Sequence, residues 1–529
     1  MLGDLRHFGD LLRRNARLYG GETGLAEEGT AYSWRQTYGR VLRLASSLEA
    51  AGLRRGERVI LLGGNSIAFV EALFALAGSG RVPVPVNTRL TAAELEGIAD
   101  DCRAAGILAG AGFLETAQEV AESSGTLRFV GALGEVPQRQ LGAVPSYGSL
   151  LAGGAEDEEL FARAIAPEEL LLLLYTSGTT GFPKGVMYSH GGALQATLVH
   201  VLAIGSAHRH RVMLPSPLYS AAGFAGIACA VAVGSFSFVL QFSLEAALKV
   251  LARERITFTN LVPTTLRMLL DHPELPRYDL SSLEVLLYGG SPMREEILRR
   301  ADEALSCGFR QTFATSETGL AGTVLEPEDH RRALDDPARA SLLLSCGRPQ
   351  VGVGIRLLGP DGAEVPAGEV GEVSIACSGN MLGYWNRPEK TAEVLEDGWV
   401  RTGDMARRDG EGYFYLVDRK HDMIVSGALN VYPTEVERAL ALHPAVADCA
   451  VIGVPDEKWG EAVKALVVRR PGTEVSAREL SAHAREHLAG FKRPKTVEFI
   501  AEIPYNPAGK PLRRRLREPY WQGRERRLG

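Results

Sequence analysis

Five consecutive leucines, residues 170–174, run straight into Tyr175-Thr176-Ser177-Gly178-Thr179-Thr180-Gly181-Phe182-Pro183-Lys184-Gly185. A strand apolar on both faces must be covered on both, which predicts layered α/β architecture with helices on either side. The polar stretch that follows predicts an anion site. Its glycines let backbone N–H groups turn toward an anion, its hydroxyls donate further hydrogen bonds, and Lys184 adds a point charge. That combination suits the β- and γ-phosphates of a nucleotide. It departs from the P-loop pattern, because Gly185 and not Ser or Thr follows the lysine.

The same alternation extends along the chain. Residues 58–62, 82–86, 107–109, 258–262 and 285–288 read as short buried strands, with helices expected at 66–79 and 91–101. Residues 1–19 carry an amphipathic helical pattern in place of a signal peptide's unbroken apolar core. Residues 221–240 hold no charge and are long enough to span a bilayer, but glycines and serines punctuate them. They are read as a buried helix, a turn near Gly234 and a buried strand at 235–242, with no transmembrane segment. Between 352 and 378 the texture changes to period-two strands with Pro-Asp-Gly and Pro-Ala-Gly turns, which predicts a small antiparallel unit. The arginine-rich tail, 513–526, is expected to be a solvated helix. With 58 Lys plus Arg against 64 Asp plus Glu, the formal charge of −6 argues against nucleic acid as a partner. Six cysteines with no CxxC pair suggest a reducing, cytoplasmic setting.

Other motifs follow the 175–185 loop in order. They are Tyr288-Gly289-Gly290-Ser291-Pro292-Met293, Phe313-Ala314-Thr315-Ser316-Glu317, Gly383-Tyr384-Trp385, Trp399-Val400-Arg401-Thr402-Gly403-Asp404, Asp418-Arg419-Lys420-His421-Asp422-Met423-Ile424, and Tyr505-Asn506-Pro507-Ala508-Gly509-Lys510. Together they resemble the adenylate-forming superfamily: acyl-CoA synthetases, aryl-CoA ligases, luciferases and adenylation domains. One such motif is weak, but six in order over nearly the whole chain are specific. The resemblance implies a large N-terminal domain (1–420) of layered α/β subdomains plus a small β unit. A smaller, mobile C-terminal α+β domain (421–529) would follow it.

It also implies roles. ATP and Mg²⁺ would be used to convert a carboxylic acid to an acyl adenylate, with release of pyrophosphate. Thr176, Ser177, Gly178, Thr179, Thr180 and Lys184 would hold the pyrophosphate portion, and Glu317 the metal. Gly289, Gly290, Ser291, Phe313, Ala314, Thr315 and Ser316 would line the nucleotide, with Ser316 in place of the usual threonine beside the α-phosphate. Asp404 would accept both ribose hydroxyls, Arg419 would support the ribose or phosphate, and Lys510 would bridge the substrate carboxylate and the α-phosphate. Taken singly, each has a plain structural reading as a surface, turn or capping residue. Their joint order lifts them above it.

The acyl pocket is expected between the helix after Tyr219 and the strand ending at Gly290. Its predicted lining is Tyr219, Ser220, Ala221, Gly223, Phe224, Gly289, Gly290, Ala314 and Thr315. Family members often carry histidine where Ser220 stands and glycine where Ala314 stands. His421 occupies the hinge position. Beside Gly427, Ala428 replaces a glycine common in CoA ligases, and the resemblance implies that its methyl would narrow the path of the acceptor's pantetheine arm or be accommodated by the loop. CoA is the expected acceptor, and an amine, giving an amide, is the alternative. A carrier-linked peptide-synthetase module is disfavoured, since no Asp-Ser carrier segment follows Lys510. A monomer or a homodimer is expected.

Overall fold

The computed structural model describes residues 5–522 apart from 177–182, 291, 292, 294, 320, 421, 427, 428 and 506–510. Two largely parallel sheets build the N-terminal part. One has four strands, Val82–Pro85, Arg58–Leu62, Gly106–Ala109 and Phe129–Ala132 in spatial order, all parallel. The other has nine, centred on the parallel strands Phe236–Val239, Arg211–Leu214, Phe258–Asn260, Val285–Gly289 and Gly308–Phe313. The predicted strand-then-helix alternation is present: helices Ile67–Gly78 and Ala92–Cys102 follow their strands with Ser66 and Thr91 as N-caps.

The leucine strand lies outside both of these sheets. Leu170–Thr176 pairs antiparallel with Lys184–Ser189, in a three-stranded sheet completed by Gly383–Tyr384. Both faces are nevertheless buried. Leu172 and Leu174 enter one hydrophobic core, and Leu173 enters the other. Burial on two faces was a sound inference, but burial carries no information about strand direction.

Three further segments refine or correct the sequence reading. The first helix runs only over Asp10–Leu18, because the Asp10 carboxylate accepts the N–H groups of Arg6 and His7 and holds the preceding chain in a turn. The uncharged stretch forms the helix Ala221–Val233, which ends at Gly234 (φ +70°) and gives way to the strand Phe236–Val239. Among the described residues, no helix is long and apolar enough to cross a membrane. The arginine tail is not simply solvated. Within the short helix Arg513–Arg517, the Arg513 guanidinium lies 2.7 Å from Glu437 and 3.5 Å from Asp422, and Arg517 lies 3.1 Å from Asp422.

The small β unit is antiparallel, built from Gly354–Leu358, Val370–Ala376, Trp399–Arg408 and Phe414–Arg419. A separate C-terminal sheet orders Leu429–Val431, Ile424–Ser426, Gly460–Arg469 and Val446–Asp456, with Thr496–Phe499 on the Gly460–Arg469 strand. Helices Pro433–Ala441 and Ala477–His487 contribute to its core, giving an α+β unit. The predicted 420/421 division falls between these two sheets, at His421, which lies outside the described residues. All six cysteines are free, and burial pushes the thiols of Cys102, Cys229, Cys307 and Cys346 up to about 12, so they carry no thiolate at neutral pH.

Candidate active site

Strand pairing sets the phosphate loop's two ends. Thr176 and Lys184 lie opposite each other in the ladder, and the Thr176 hydroxyl donates to the Lys184 carbonyl at 3.4 Å. The loop is therefore the connection of an antiparallel hairpin. Ser177, Gly178, Thr179 and Thr180 lie outside the described residues. The Lys184 ammonium sits 4.5 Å from the centre of the Tyr384 ring. The Tyr384 hydroxyl in turn donates to Glu317 Oε1 at 2.9 Å. Burial, with the Glu317 charge beside it, pushes the Tyr384 phenol far up, so it remains a protonated donor. A single phenol thus joins the loop's cation to the candidate metal-binding carboxylate. Sequence reading placed Tyr384 in a motif without giving it a task.

Glu317 lies on the single 3-10 turn Ser316–Thr318, which follows the strand Gly308–Phe313 that carries Phe313. Neighbouring elements pin this turn. The Tyr188 hydroxyl donates to the Ser316 carbonyl at 2.6 Å, and the Met381 N–H donates to the Glu317 carbonyl at 2.9 Å. Glu317 offers an oxygen donor already oriented by Tyr384. That fits a hard cation such as Mg²⁺, whose remaining ligands would be phosphate oxygens and water. Alongside, Gly289 pairs with Thr312, and a Cβ on Gly289 would come within 2.5 Å of the Thr312 carbonyl oxygen. Only glycine allows the two strands that approach so closely. Gly290 follows it at the strand's end, and Ala314 and Thr315 lead from the next strand into the turn. Ser291 lies outside the described residues.

The strand Trp399–Arg408 lies against the Ser316–Thr318 turn and carries Asp404 into the same region. Asp404 is buried, and Arg419, opposite it on the neighbouring strand, holds Oδ1 with Nε at 2.7 Å. The Asp404 N–H donates to the Thr402 hydroxyl. Beside this pair, Glu372 accepts from Arg401 and Lys420, each at 3.0 Å. The carboxylate is therefore fixed before any ligand arrives. His421, Gly427, Ala428 and Lys510 lie outside the described residues.

Residues expected to line the acyl pocket cluster at the start of the Ala221–Val233 helix. Ser220 caps the Ala221–Val233 helix: its oxygen accepts from the Gly223 N–H at 3.1 Å, and its hydroxyl donates to the Pro217 carbonyl at 2.7 Å. Gly223 has no room for a Cβ, which would lie 2.0 Å from the Pro217 oxygen. Tyr219, Ser220 and Ala221 thus form the helix entry. A narrow apolar cleft lies beyond it, lined by Tyr188, Ala193, Ala196, Thr197, His200, Phe224, Ala225, Cys229 and Gly319. Of the predicted lining only Phe224 faces this cleft. Its other wall is the helix His190–Ile204, where 193, 196, 197 and 200 share one face.

The family model described as AMP-binding enzyme matches residues 12–385, and that of the AMP-binding enzyme C-terminal domain matches residues 435–510. A feruloyl-CoA synthase of Amycolatopsis sp is 38% identical over 510 residues, covering 96% of this chain and 98% of the relative. Among solved structures, the anthranilate CoA ligase AuaEII in complex with anthranoyl-AMP superposes with a TM-score of 0.87 at 27% identity, covering 98% of each chain. The amide bond synthetase McbA from Marinactinospora thermotolerans gives 0.85 at 30% identity, covering 97% of this chain and all of that one (100%).

Proposed function

The chain belongs to the AMP-binding enzyme family and is an AMP-forming ligase, and on that premise we propose that it activates a carboxylic acid as an acyl adenylate and passes the acyl group to the thiol of CoA. A carboxylate is a poor acyl donor, because oxide is a poor leaving group. Attack of the carboxylate oxygen on the α-phosphorus of ATP expels pyrophosphate, and AMP then leaves readily when a nucleophile arrives. Two anions must meet in the first step, so the site must supply positive charge where they approach.

The observation that carries this reading is the convergence on the Ser316–Thr318 turn. Lys184, at the end of the hydroxyl-rich hairpin, reaches Glu317 through Tyr384, and the strand bearing Asp404 packs against the same turn. In this reading the hairpin and Lys184 take the β- and γ-phosphates, and Glu317 holds Mg²⁺. The ion would neutralise phosphate charge in the transition state. Asp404 takes the ribose hydroxyls with its carboxylate oxygens, while Arg419 orients it. Lys510, in the motif at 505–510, is assigned the bridge between substrate carboxylate and α-phosphate. An Asp404→Asn variant, which keeps the side-chain volume, is expected to raise the KM for ATP about tenfold or more, the scale of a lost charge-assisted hydrogen bond. A steady-state ATP titration checks this, and an unchanged KM would remove Asp404 from the ribose.

Amide formation is the second reading. The likeness to McbA favours it, and so does alanine at 428 where CoA ligases commonly carry glycine. The test is product identification with ATP, a panel of acids, and either CoA or a panel of amines. A CoA ligase should accumulate thioester, and Ala428→Gly should change its rate by less than about threefold. If the tunnel is obstructed, CoA will not speed AMP release from the loaded enzyme, an amine will, and Ala428→Gly will restore some thioester. Abundant amide with no acyl-CoA would overturn the first reading.

A further inference from the structure

The end of the helix Ala477–His487 carries two imidazoles and a carboxylate on one face. His487 follows His483 by four residues and Glu486 follows it by three, so all three side chains project to the same side. One ligand atom of each lies within 4.8 Å of those of the other two. Among the described residues, no other group of three His, Cys, Asp or Glu side chains meets in this way. Arg485, on the same turn, is two residues from either histidine and so does not face them.

The neighbouring chain fixes which nitrogen His483 offers. A carbonyl oxygen only accepts, so the 3.0 Å contact between His483 Nε2 and the Ala439 carbonyl is an N–H donation. His483 Nδ1 therefore keeps a free lone pair, and the ring is oriented by the adjoining helix Pro433–Ala441. A metal-bound imidazole almost always makes such a bond with its second nitrogen, which sets the tautomer and raises the ligand's basicity. His443 stands edge-on to His483, with ring centroids 5.2 Å apart, but its Nδ1 accepts the Ala445 N–H at 3.2 Å. In the neutral ring its Nε2 then bears the proton, so His443 walls the cluster and is not a ligand. The helix dipole adds its negative pole at this end, which favours a cation.

We infer that His483, Glu486 and His487 bind a zinc ion, with water completing its coordination. Two imidazole nitrogens with one carboxylate oxygen suit Zn²⁺, whereas Mg²⁺ takes oxygen donors in an octahedron. Donors around a tetrahedral zinc lie about 3.4 Å apart, from bonds of ~2.0–2.1 Å. Glu486 and His487 are exposed, so small side-chain rotations close the remaining distance. The ion clasps the end of the helix and, through His483 and the Ala439 carbonyl, braces it against Pro433–Ala441. It belongs to the C-terminal unit, whereas Glu317 belongs to the N-terminal part, and it takes no part in adenylation.

The test is titration of the untagged full-length chain with ZnCl₂, without nucleotide, followed by calorimetry. Wild-type protein is expected to bind one equivalent of Zn²⁺ that a millimolar excess of Mg²⁺ does not displace. His487→Ala and Glu486→Gln, both at exposed positions, should each weaken that equivalent by at least about tenfold to a hundredfold, the scale known for outer-shell partners alone. His443→Ala should leave it within about threefold, because the nitrogen it could offer is already spent. Co²⁺ in place of Zn²⁺ should give the visible absorption of a tetrahedral ion in wild type and not in His487→Ala. Zinc should also raise the unfolding midpoint of wild type and not of that variant. Pyrophosphate release without zinc should be the same in both, which separates this site from the ligase chemistry. No zinc binding, equal binding by wild type and His487→Ala, or an equivalent that Mg²⁺ displaces would each overturn the inference and leave the ligase reading intact.

Discussion

Lys510→Ala is expected to cut pyrophosphate release by about a hundredfold or more, equivalent to about 3 kcal/mol of transition-state stabilisation. In the adenylating step a carboxylate oxygen must approach a phosphate that already carries negative charge. An ammonium at the meeting point opposes that repulsion in the transition state more than in either separate ground state, so its loss should appear mainly in kcat. Transfer from a supplied, preformed adenylate involves no meeting of two anions, and the same variant should perform it nearly as well as wild type. Single-turnover pyrophosphate release and acyl transfer from synthetic acyl adenylate separate the two steps. Equal losses in both would show that Lys510 acts elsewhere.

Arg513→Ala is expected to destabilise the C-terminal unit by about 3–5 kcal/mol, the range for removing one partner of a buried ion pair. The Arg513 side chain is 10% exposed and lies between Glu437 and Asp422. Burial raises the Glu437 carboxyl, and the adjacent guanidinium opposes that rise. Glu437 also accepts the Val451 N–H at 2.7 Å, so the carboxylate ties the Pro433–Ala441 helix to the Val446–Asp456 strand. Without Arg513 the carboxylate must stay charged and unpaired or take up a proton. A urea titration followed by tryptophan fluorescence measures the loss. The double variant Arg513→Met with Glu437→Met should recover part of it, because the Glu437 charge goes with its partner and Asp422 keeps Arg517. A cost below about 1 kcal/mol for the single variant would mark the pair as solvated.

The features legible in the chain were those encoded over a few residues. Strands such as Arg58–Leu62 and Val285–Gly289, and the Gly234 break between helix and strand, follow from local periodicity and backbone preference. So does the chemistry of the 175–185 loop, since hydroxyls, glycines and a lysine packed into eleven residues suit an anion whatever their surroundings. Arg513 was misplaced because a run of arginines looks the same whether its guanidiniums meet water or two buried carboxylates, and Asp422 and Glu437 are distant in sequence. The leucine strand's direction is a related case, on which its residues are silent. Its side chains register burial on two faces, while its pairing partner is chosen by a hairpin whose closure depends on Lys184–Ser189 and Gly383–Tyr384.

The sequence by itself determined the reaction class, because adenylation demands particular residue types in short motifs whose order survives without any knowledge of packing. It also determined the layered α/β plan, because hydrophobic period and caps act within single elements. Only the tertiary structure decided what surrounds each group. It placed Tyr384 between Lys184 and Glu317, and set His200 in the wall of a cleft between two helices. Each of these depends on residues tens to hundreds of positions apart coming within a few ångströms. Burial, hydrogen-bond satisfaction and protonation are properties of that shared space and not of any stretch of chain.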